Sequence, residues 1–128
     1  MKEVSMLNEG TVVATIAVSD IIAAQEYYEG VLGFTVEEEN SGGATYRSGT
    51  GKFFIYQSEF AGTNQATCAS WEVEDVASVV VDLKARGVTF EHYELPGMIR
   101  EGDIHSMGAH RSAWFKDPDG NILNISGK

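Results

Sequence analysis

The sequence predicts an α+β fold in which two tandem βαβββ units form curved sheets around a cleft. One observation is a tight-turn sequence, Asp-Pro-Asp-Gly-Asn at 117–121, set between segments 111–116 and 121–126, which together predict a closing hairpin. Another is an internal repeat, because in each half an acidic residue precedes a helical segment and a glycine follows it. The 128 residues are therefore expected to form a single domain over 1–128, with units at about 11–58 and 66–126 and a linker at 59–65.

The first unit opens with a β-branched, apolar run at 11–18, which predicts a largely buried strand. Ser19 or Asp20 then caps a helix over 21–32, and Gly33 stands where a left-handed C-cap is expected. Three strands follow, separated by turns rich in glycine, at 34–39, 44–48 and 52–58.

The second unit repeats this order. A strand at 66–73 leads to a helix over 76–86, in which Val76, Val79, Val80 and Leu83 follow the i, i+3, i+4, i+7 pattern of a buried helix face. A strand at 88–93 precedes an irregular segment at 95–110. We expect a loop of this length to act as a lid or a binding loop, with disorder as the alternative.

Composition narrows the function. The net charge of -10 argues against a nucleic-acid surface, which needs clustered Lys and Arg, and it is compatible with cationic ligands as well as with simple solubility. No apolar run is long enough to cross a membrane, and the start of the chain lacks an apolar signal core. With Cys68 as its lone cysteine, the protein is expected in the reducing cytoplasm.

The segment Trp-Phe-Lys-Asp-Pro-Asp-Gly-Asn-Ile-Leu at 114–123, together with Tyr27-Tyr28 and Leu32-Gly33-Phe34, resembles the vicinal oxygen chelate superfamily. Glyoxalase I, bleomycin-resistance proteins, fosfomycin-resistance enzymes and extradiol dioxygenases belong to that superfamily. The sequence of the loop and hairpin is similar to that of a subgroup of small bacterial members without assigned activity. The resemblance implies the fold, a cleft for a small molecule and a homodimer.

The same resemblance places the superfamily's divalent-metal ligands at Val13, Ile55, Cys68 and Asn124. Valine and isoleucine cannot coordinate a metal, an amide is a weak ligand, and a cysteine on an apolar strand is usually a small buried hydrophobe. We therefore expect no metal and no other cofactor. The alternative is a rebuilt metal site in the long loop, where His105 and His110 accompany Glu101 and Asp103.

If those positions face inward, strand alternation predicts the lining of the cleft. It consists of Thr11, Val13, Thr15, Phe53, Ile55, Gln57, Cys68, Ser70, Glu72, Arg111, either Trp114 or Phe115, Ile122 and Asn124. Glu72 is the only carboxylate among them, so it could serve as a general base if it were buried, whereas at a strand end it would simply be solvated. Trp71 and the tyrosines at 27, 28, 46 and 56 are expected in the core or an interface instead.

Three hypotheses on function follow. The first is a metal-free protein that binds a small, cationic or aromatic molecule, similar to the bleomycin-resistance proteins. The second is a glyoxalase-like lyase or isomerase that uses Glu72 or the His105 and His110 pair. The third is an interaction domain with no ligand, which requires a cleft closed by side chains.

Overall fold

The computed structural model describes residues 6–128. Residues 1–5, part of the region expected to hold no signal sequence, lie outside the described residues. The strands are β1 (Ala14–Val18), β2 (Val36–Asn40), β3 (Gly43–Ser48), β4 (Gly51–Gln57), β5 (Thr67–Val73), β6 (Phe90–Glu91), β7 (Ile99–Glu101), β8 (Ile104–Met107), β9 (His110–Lys116) and β10 (Ile122–Gly127).

These strands form two sheets with matching topology. The first has the order β1-β4-β3-β2, and the second has the order β5-β10-β9-β8-β7, with β6 also paired to β9. In each sheet the first strand of the unit runs parallel to the last, β1 beside β4 and β5 beside β10, and the remaining pairs are antiparallel. The α+β fold predicted from the internal repeat, with its βαβββ units, is confirmed.

Each unit carries one helical segment after its first strand. Helix α1 (Ile21–Gln25) begins after Asp20, whose carboxylate accepts hydrogen bonds from two backbone N–H groups, and it continues as a π-helical turn (Glu26–Val31). Helix α2 (Val76–Ala85) begins after Asp75, which accepts the N–H of Ser78. Both segments are followed by glycines at positive φ, as expected. No helix within residues 6–128 combines the length and apolarity needed to span a membrane.

An aromatic cluster joins the two units on the helix side of the sheets. Trp71 of β5 stacks on Phe34 at a centroid distance of 5.7 Å and meets Phe53 of β4 edge to face at 5.4 Å. Phe53 also contacts the fully buried Tyr28 and Tyr46. The expectation that Trp71 and these two tyrosines belong to the core is confirmed, and their packing couples the first unit to the second.

The turn between β9 and β10 forms the second connection between the units. Asp117 is buried, and its carboxylate accepts four hydrogen bonds: from the Tyr28 hydroxyl at 2.8 Å, from the Asn121 amide at 2.8 Å, and from the backbone N–H groups of Asn121 and Asp119 at 2.9 and 3.0 Å. The Asn121 amide also donates to the Ala17 carbonyl oxygen of β1. Burial and the nearby carboxylate raise the pKa of Tyr28, so its hydroxyl keeps the proton that it donates.

The linker between the units packs directly on this turn. A Cβ atom at Gly62 would lie 1.9 Å from the Asp119 carbonyl oxygen, and Gly62 has a φ of 72°, so only glycine fits there. Asp119 in turn accepts hydrogen bonds from the backbone N–H and the hydroxyl of Ser19 at the start of α1. The Asp-Pro-Asp-Gly-Asn sequence is therefore a structural clamp on α1, β1 and the linker.

The segment predicted as an irregular loop at 95–110 is largely a β-hairpin. Strands β7 and β8 pair with each other, and β8 extends the second sheet along β9. Ile104 packs against the core, whereas Ile99 at the sheet edge is 70% exposed. The segment is thus an ordered extension of the sheet, and the glycines and scattered apolar residues of the sequence did not distinguish such a short hairpin from a loop.

Candidate ligand-binding groove

Strand registers show which side chains share each face of the first sheet. Ala14 and Ile16 of β1 lie beside Phe53 and Ile55 of β4, on the side covered by α1. Thr15 lies beside Phe54, on the opposite side, where Thr15 is exposed, and we call this side the open face. Val13 and Thr15 line this open face together with Phe54 and Lys52, around a shallow hollow of about 520 Å³.

Three residues predicted to line the cleft lie elsewhere, and a fourth, Phe115, lies on the helix side of the second sheet, where it lines the cavity under α2 that is described below. Ile55 is fully buried under α1, Gln57 follows it on the same side and is exposed at the end of β4, and Phe115 is buried against Phe90. Arg111 shares the alternation of Phe115, and its guanidinium adds to the effect of the Ser78 hydroxyl in lowering the pKa of the Asp75 carboxyl at the start of α2. The predictions for Ile55, Gln57 and Arg111 were wrong because they assumed the opposite phase of strand alternation.

Phe53 is mainly a core residue. Its side chain is 2% exposed and packs in the aromatic cluster, although Phe53 also forms part of the lining of the groove between the β3–β4 turn and β5 that is described below. Two aromatic residues stand side by side at 53 and 54, and either could have faced inward. Tyr28 and Phe34 contact Phe53, and these contacts determine which of the two aromatic side chains faces the core.

On the second sheet, Asn124 is buried on the face away from α2 and is satisfied by protein partners. Its carbonyl oxygen accepts the Ser70 hydroxyl at 2.7 Å, and its amide donates to the Ala113 carbonyl oxygen at 3.4 Å. Trp114 lies opposite Asn124 on the same face and donates its indole N–H to the Thr67 hydroxyl. Asn124 therefore serves the sheet, and Trp114 rather than Phe115 is the aromatic residue on this face.

Cys68 is half-buried, at an irregularity where β5 and β10 shift register. Burial raises the pKa of the Cys68 thiol, and the charge of Asp117 raises it further. Without a metal ion the thiol therefore stays protonated near neutral pH, which does not suit a nucleophile. Of the other predicted residues, Thr11 is exposed before β1 and Ile122 is half-buried at the start of β10.

The structure does not bring the loop histidines together as a metal site. His105 is 1% exposed, and its Nε2 atom accepts the backbone N–H of Tyr93, while its ring meets Trp114 edge to face. His110 is exposed and contacts the Ser112 hydroxyl. Asp103 instead pairs with Lys84 at 2.8 Å and His92 at 2.7 Å. Across residues 6–128, no three His, Cys, Asp or Glu side chains are placed to hold a metal ion together.

Ser70 and Glu72 line a groove where the two units meet, which we call the junction groove. It has a volume of about 480 Å³ and lies between the β3–β4 turn and β5. Within the described chain β5 pairs only with β10, so its other edge faces this groove. The lining residues are Ala14, Ser48, Gly49, Thr50, Gly51, Lys52, Phe53, Ala69, Ser70, Trp71, Glu72 and Val73.

An apolar cavity of about 210 Å³ adjoins the junction groove under α2, and we call it the inner cavity. Ser48, Trp71 and Val73 line both spaces, so the polar groove and the apolar cavity share a wall. The remaining lining of the inner cavity is mostly apolar and consists of Leu32, Phe34, Val79, Asp82, Leu83, Phe115 and Ile125. A polar space beside an apolar one is the common construction of a small-molecule site.

Sequence reasoning missed the β3–β4 turn and Lys52 as parts of this site. The Gly-Thr-Gly-Lys sequence at 49–52 was available as a signal, since glycines and a lysine at a strand junction leave backbone and charge accessible. As expected, a turn joins the two strands here: Gly49 and Thr50 form it, and Gly51 and Lys52 begin β4. Its proximity to β5 depends on how the two sheets meet, which no local pattern encodes.

The family model of the Glyoxalase/Bleomycin resistance protein/Dioxygenase superfamily matches residues 10–125 of the chain. The match spans nearly all of the two-unit architecture, and the chain belongs to this superfamily. No curated protein matches the chain.

Solved structures are similar to the chain over most of its length. A glyoxalase family protein from Enterococcus faecalis is 20% identical with a TM-score of 0.70, covering 94% of this chain and 99% of that one. A fosfomycin resistance protein from Listeria monocytogenes is 14% identical with a TM-score of 0.68, covering 93% of each chain. An integron cassette protein from V. cholerae is 26% identical with a TM-score of 0.60, covering 99% of this chain and 98% of that one. At such identities these similarities establish the fold.

Proposed function

We propose that this protein binds a small organic molecule in the junction groove, places its aromatic or apolar part in the inner cavity, and does so without the metal ion used by enzymes of the superfamily. The observation that carries the proposal is the shared wall of Ser48, Trp71 and Val73 between a polar groove and an apolar cavity. A ligand with a polar head and an apolar body would satisfy both spaces at once.

The absence of suitable ligand side chains supports the metal-free part of the proposal. At the positions that the superfamily resemblance assigns to metal ligands, Val13 and Ile55 have no donor atom, Cys68 holds its proton, and Asn124 is committed to Ser70 and the backbone. The buried His105 accepts a backbone N–H at Nε2, and Asp103, in the turn between β7 and β8, pairs with Lys84 and His92.

The structure favours binding over the two alternatives. Glu72 is exposed, so it lacks the burial on which its role as a general base depended. An interaction domain without a ligand required a cleft filled by side chains, whereas the junction groove is about 480 Å³ in volume. We extend the proposal to a homodimer in the cytoplasm, from the superfamily resemblance and the single protonated thiol.

A thermal-shift screen of aromatic and cationic compounds, followed by a groove-blocking variant, tests the proposal. Thr50→Trp places a bulky ring at the mouth of the junction groove, and Thr89→Trp is the matched control at an exposed site outside it. We expect hits to raise the melting temperature of the wild type and of Thr89→Trp, and to leave Thr50→Trp unchanged. Equal shifts in both variants would place binding elsewhere and refute the proposed site.

Metal titration tests the proposal that the protein binds its ligand without a metal ion. We expect nickel, zinc, iron and manganese to show no stoichiometric binding to the protein purified without a histidine tag. Stoichiometric binding that is lost in His105→Ala or His110→Ala, but kept in the control His92→Ala, would instead favour the enzyme hypothesis.

A further inference from the structure

Two opposite charges line the junction groove without a partner in the described part of the chain. Lys52 stands at the start of β4 and Glu72 near the end of β5, and both side chains are exposed. The structure gives neither of them an ion pair or a side-chain hydrogen bond with another residue of 6–128, although Lys84, Lys116, Arg47 and Arg86 all pair with carboxylates. Lys52 lines both the junction groove and the hollow of the open face, where Glu37 and Glu38 also lie, and yet no carboxylate of residues 6–128 pairs with it.

The groove between these charges is suited to a polar head group rather than to an apolar surface. Ser48, Thr50 and Ser70 line it, of which Ser70 already donates its hydroxyl to Asn124, and Gly49 and Gly51 are exposed in or beside the β3–β4 turn. Lys52 offers three N–H donors for an anionic group, and Glu72 offers two acceptor oxygens for an ammonium group. Trp71 then leads to the apolar inner cavity.

We infer that the ligand is a zwitterion with an aromatic or apolar side group, with its carboxylate near Lys52, its ammonium near Glu72 and its side group in the inner cavity. This inference rests on the proposed function, which it narrows to the chemical class of aromatic amino acids and short peptides. A ligand with one charge would leave the opposite charge of the groove without a partner, so both charges together give selectivity.

Isothermal titration calorimetry with terminally blocked probes tests the inference. Phenylalanine and glycyl-phenylalanine provide two distances between the charges. Each is compared with its C-terminal amide, its N-acetyl form and the form blocked at both ends. For at least one length, we expect each single block to weaken binding about threefold, because solvent-exposed ion pairs contribute modestly.

Two variants assign the charges. In Lys52→Gln, blocking the carboxylate should no longer change the affinity, and in Glu72→Gln the same should hold for blocking the ammonium group. Lys84→Gln and Glu74→Gln, which change charge outside the groove, should retain both effects.

The outcomes separate this inference from the proposed function. If blocked and free probes bind with equal affinity, and Thr50→Trp abolishes that binding, the inference of a zwitterionic ligand is wrong, whereas the junction groove remains the binding site. If one singly charged form binds as tightly as the zwitterion, the inferred ligand class is wrong, and the proposed binding site is unaffected. If no probe binds and the screen yields no hit that Thr50→Trp blocks, both the inference and the proposed function fail.

Discussion

Replacing Asp117 by Asn should destabilise the protein strongly, although the substitution preserves shape. The native carboxylate accepts four hydrogen bonds in a site that is 5% exposed. An amide has one acceptor oxygen, so its NH₂ group would face either the two backbone N–H groups or the donors from Tyr28 and Asn121. Two buried donors would lose their acceptor at about 1–3 kcal/mol each, which predicts a total cost of about 2–6 kcal/mol.

Urea denaturation measures this cost as a fall in the unfolding midpoint at constant m-value. Asp82→Asn is the matched control, because it removes an exposed carboxylate that pairs with Arg86, and its cost should stay below about 0.5 kcal/mol. Tyr28→Phe removes one of the four donors, so the double variant with Asp117→Asn should lose less than the sum of the single losses.

A midpoint for Asp117→Asn that matches that of Asp82→Asn would refute this reasoning. It would mean that water replaces the lost acceptor and that the turn does not clamp the two units. Strict additivity of Tyr28→Phe and Asp117→Asn would likewise contradict the direct bond between their side chains.

Three further predictions follow from contrasts within the structure. Phe53→Ala should cost about 3–5 kcal/mol because Phe53 is core, and urea unfolding should show a clearly smaller loss for Phe54→Ala on the open face; equal losses would contradict the assignment of the faces. Cys68 should react with iodoacetamide more slowly at pH 7 than a cysteine in a short peptide, with the rate rising above the ordinary thiol pKa; fast alkylation at pH 7 would contradict a protonated thiol. The Lys84 and His92 partners lower the pKa of Asp103, so its contribution to stability is present above the unfolded pKa of about 3.9 and is lost as pH falls through the lower folded value. The difference in unfolding free energy between wild type and Asp103→Asn should therefore disappear in acid, and a difference that grows on acidification would contradict the sign.

Local sequence signals predicted the fold because the helix-capping signals occur in both halves of the chain. Acidic residues before each helix, glycines at positive φ after each, and a turn sequence between the last strands all act within a few residues, and all took the expected conformation. Repetition of the acidic residue and the glycine at a similar spacing in both halves then identified the architecture. The short hairpin at β7 and β8 was missed because neither strand is long enough to show an alternating pattern.

The candidate site was harder to predict because adjacent aromatic residues hide the phase of a strand. At Phe53-Phe54 and at Trp114-Phe115, either neighbour could face a cleft, and contacts from distant residues make the choice. The predicted Ser70 and Glu72 do line the junction groove. Lys52 belongs to the other unit, and it lines the same groove only because the two sheets lie next to each other. Such an encounter is a property of tertiary structure.

The clamp at the β9–β10 turn also constrains the order in which the molecule can be completed during synthesis. Asn121 bonds to Ala17, and Asp119 bonds to Ser19, across about a hundred positions of the chain. While the ribosome is still making the second unit, the Tyr28 hydroxyl lacks its carboxylate and the exit of β1 lacks its cover. During synthesis the first unit therefore lacks these hydrogen bonds until the last two strands have emerged, and the contacts between the two units form only then.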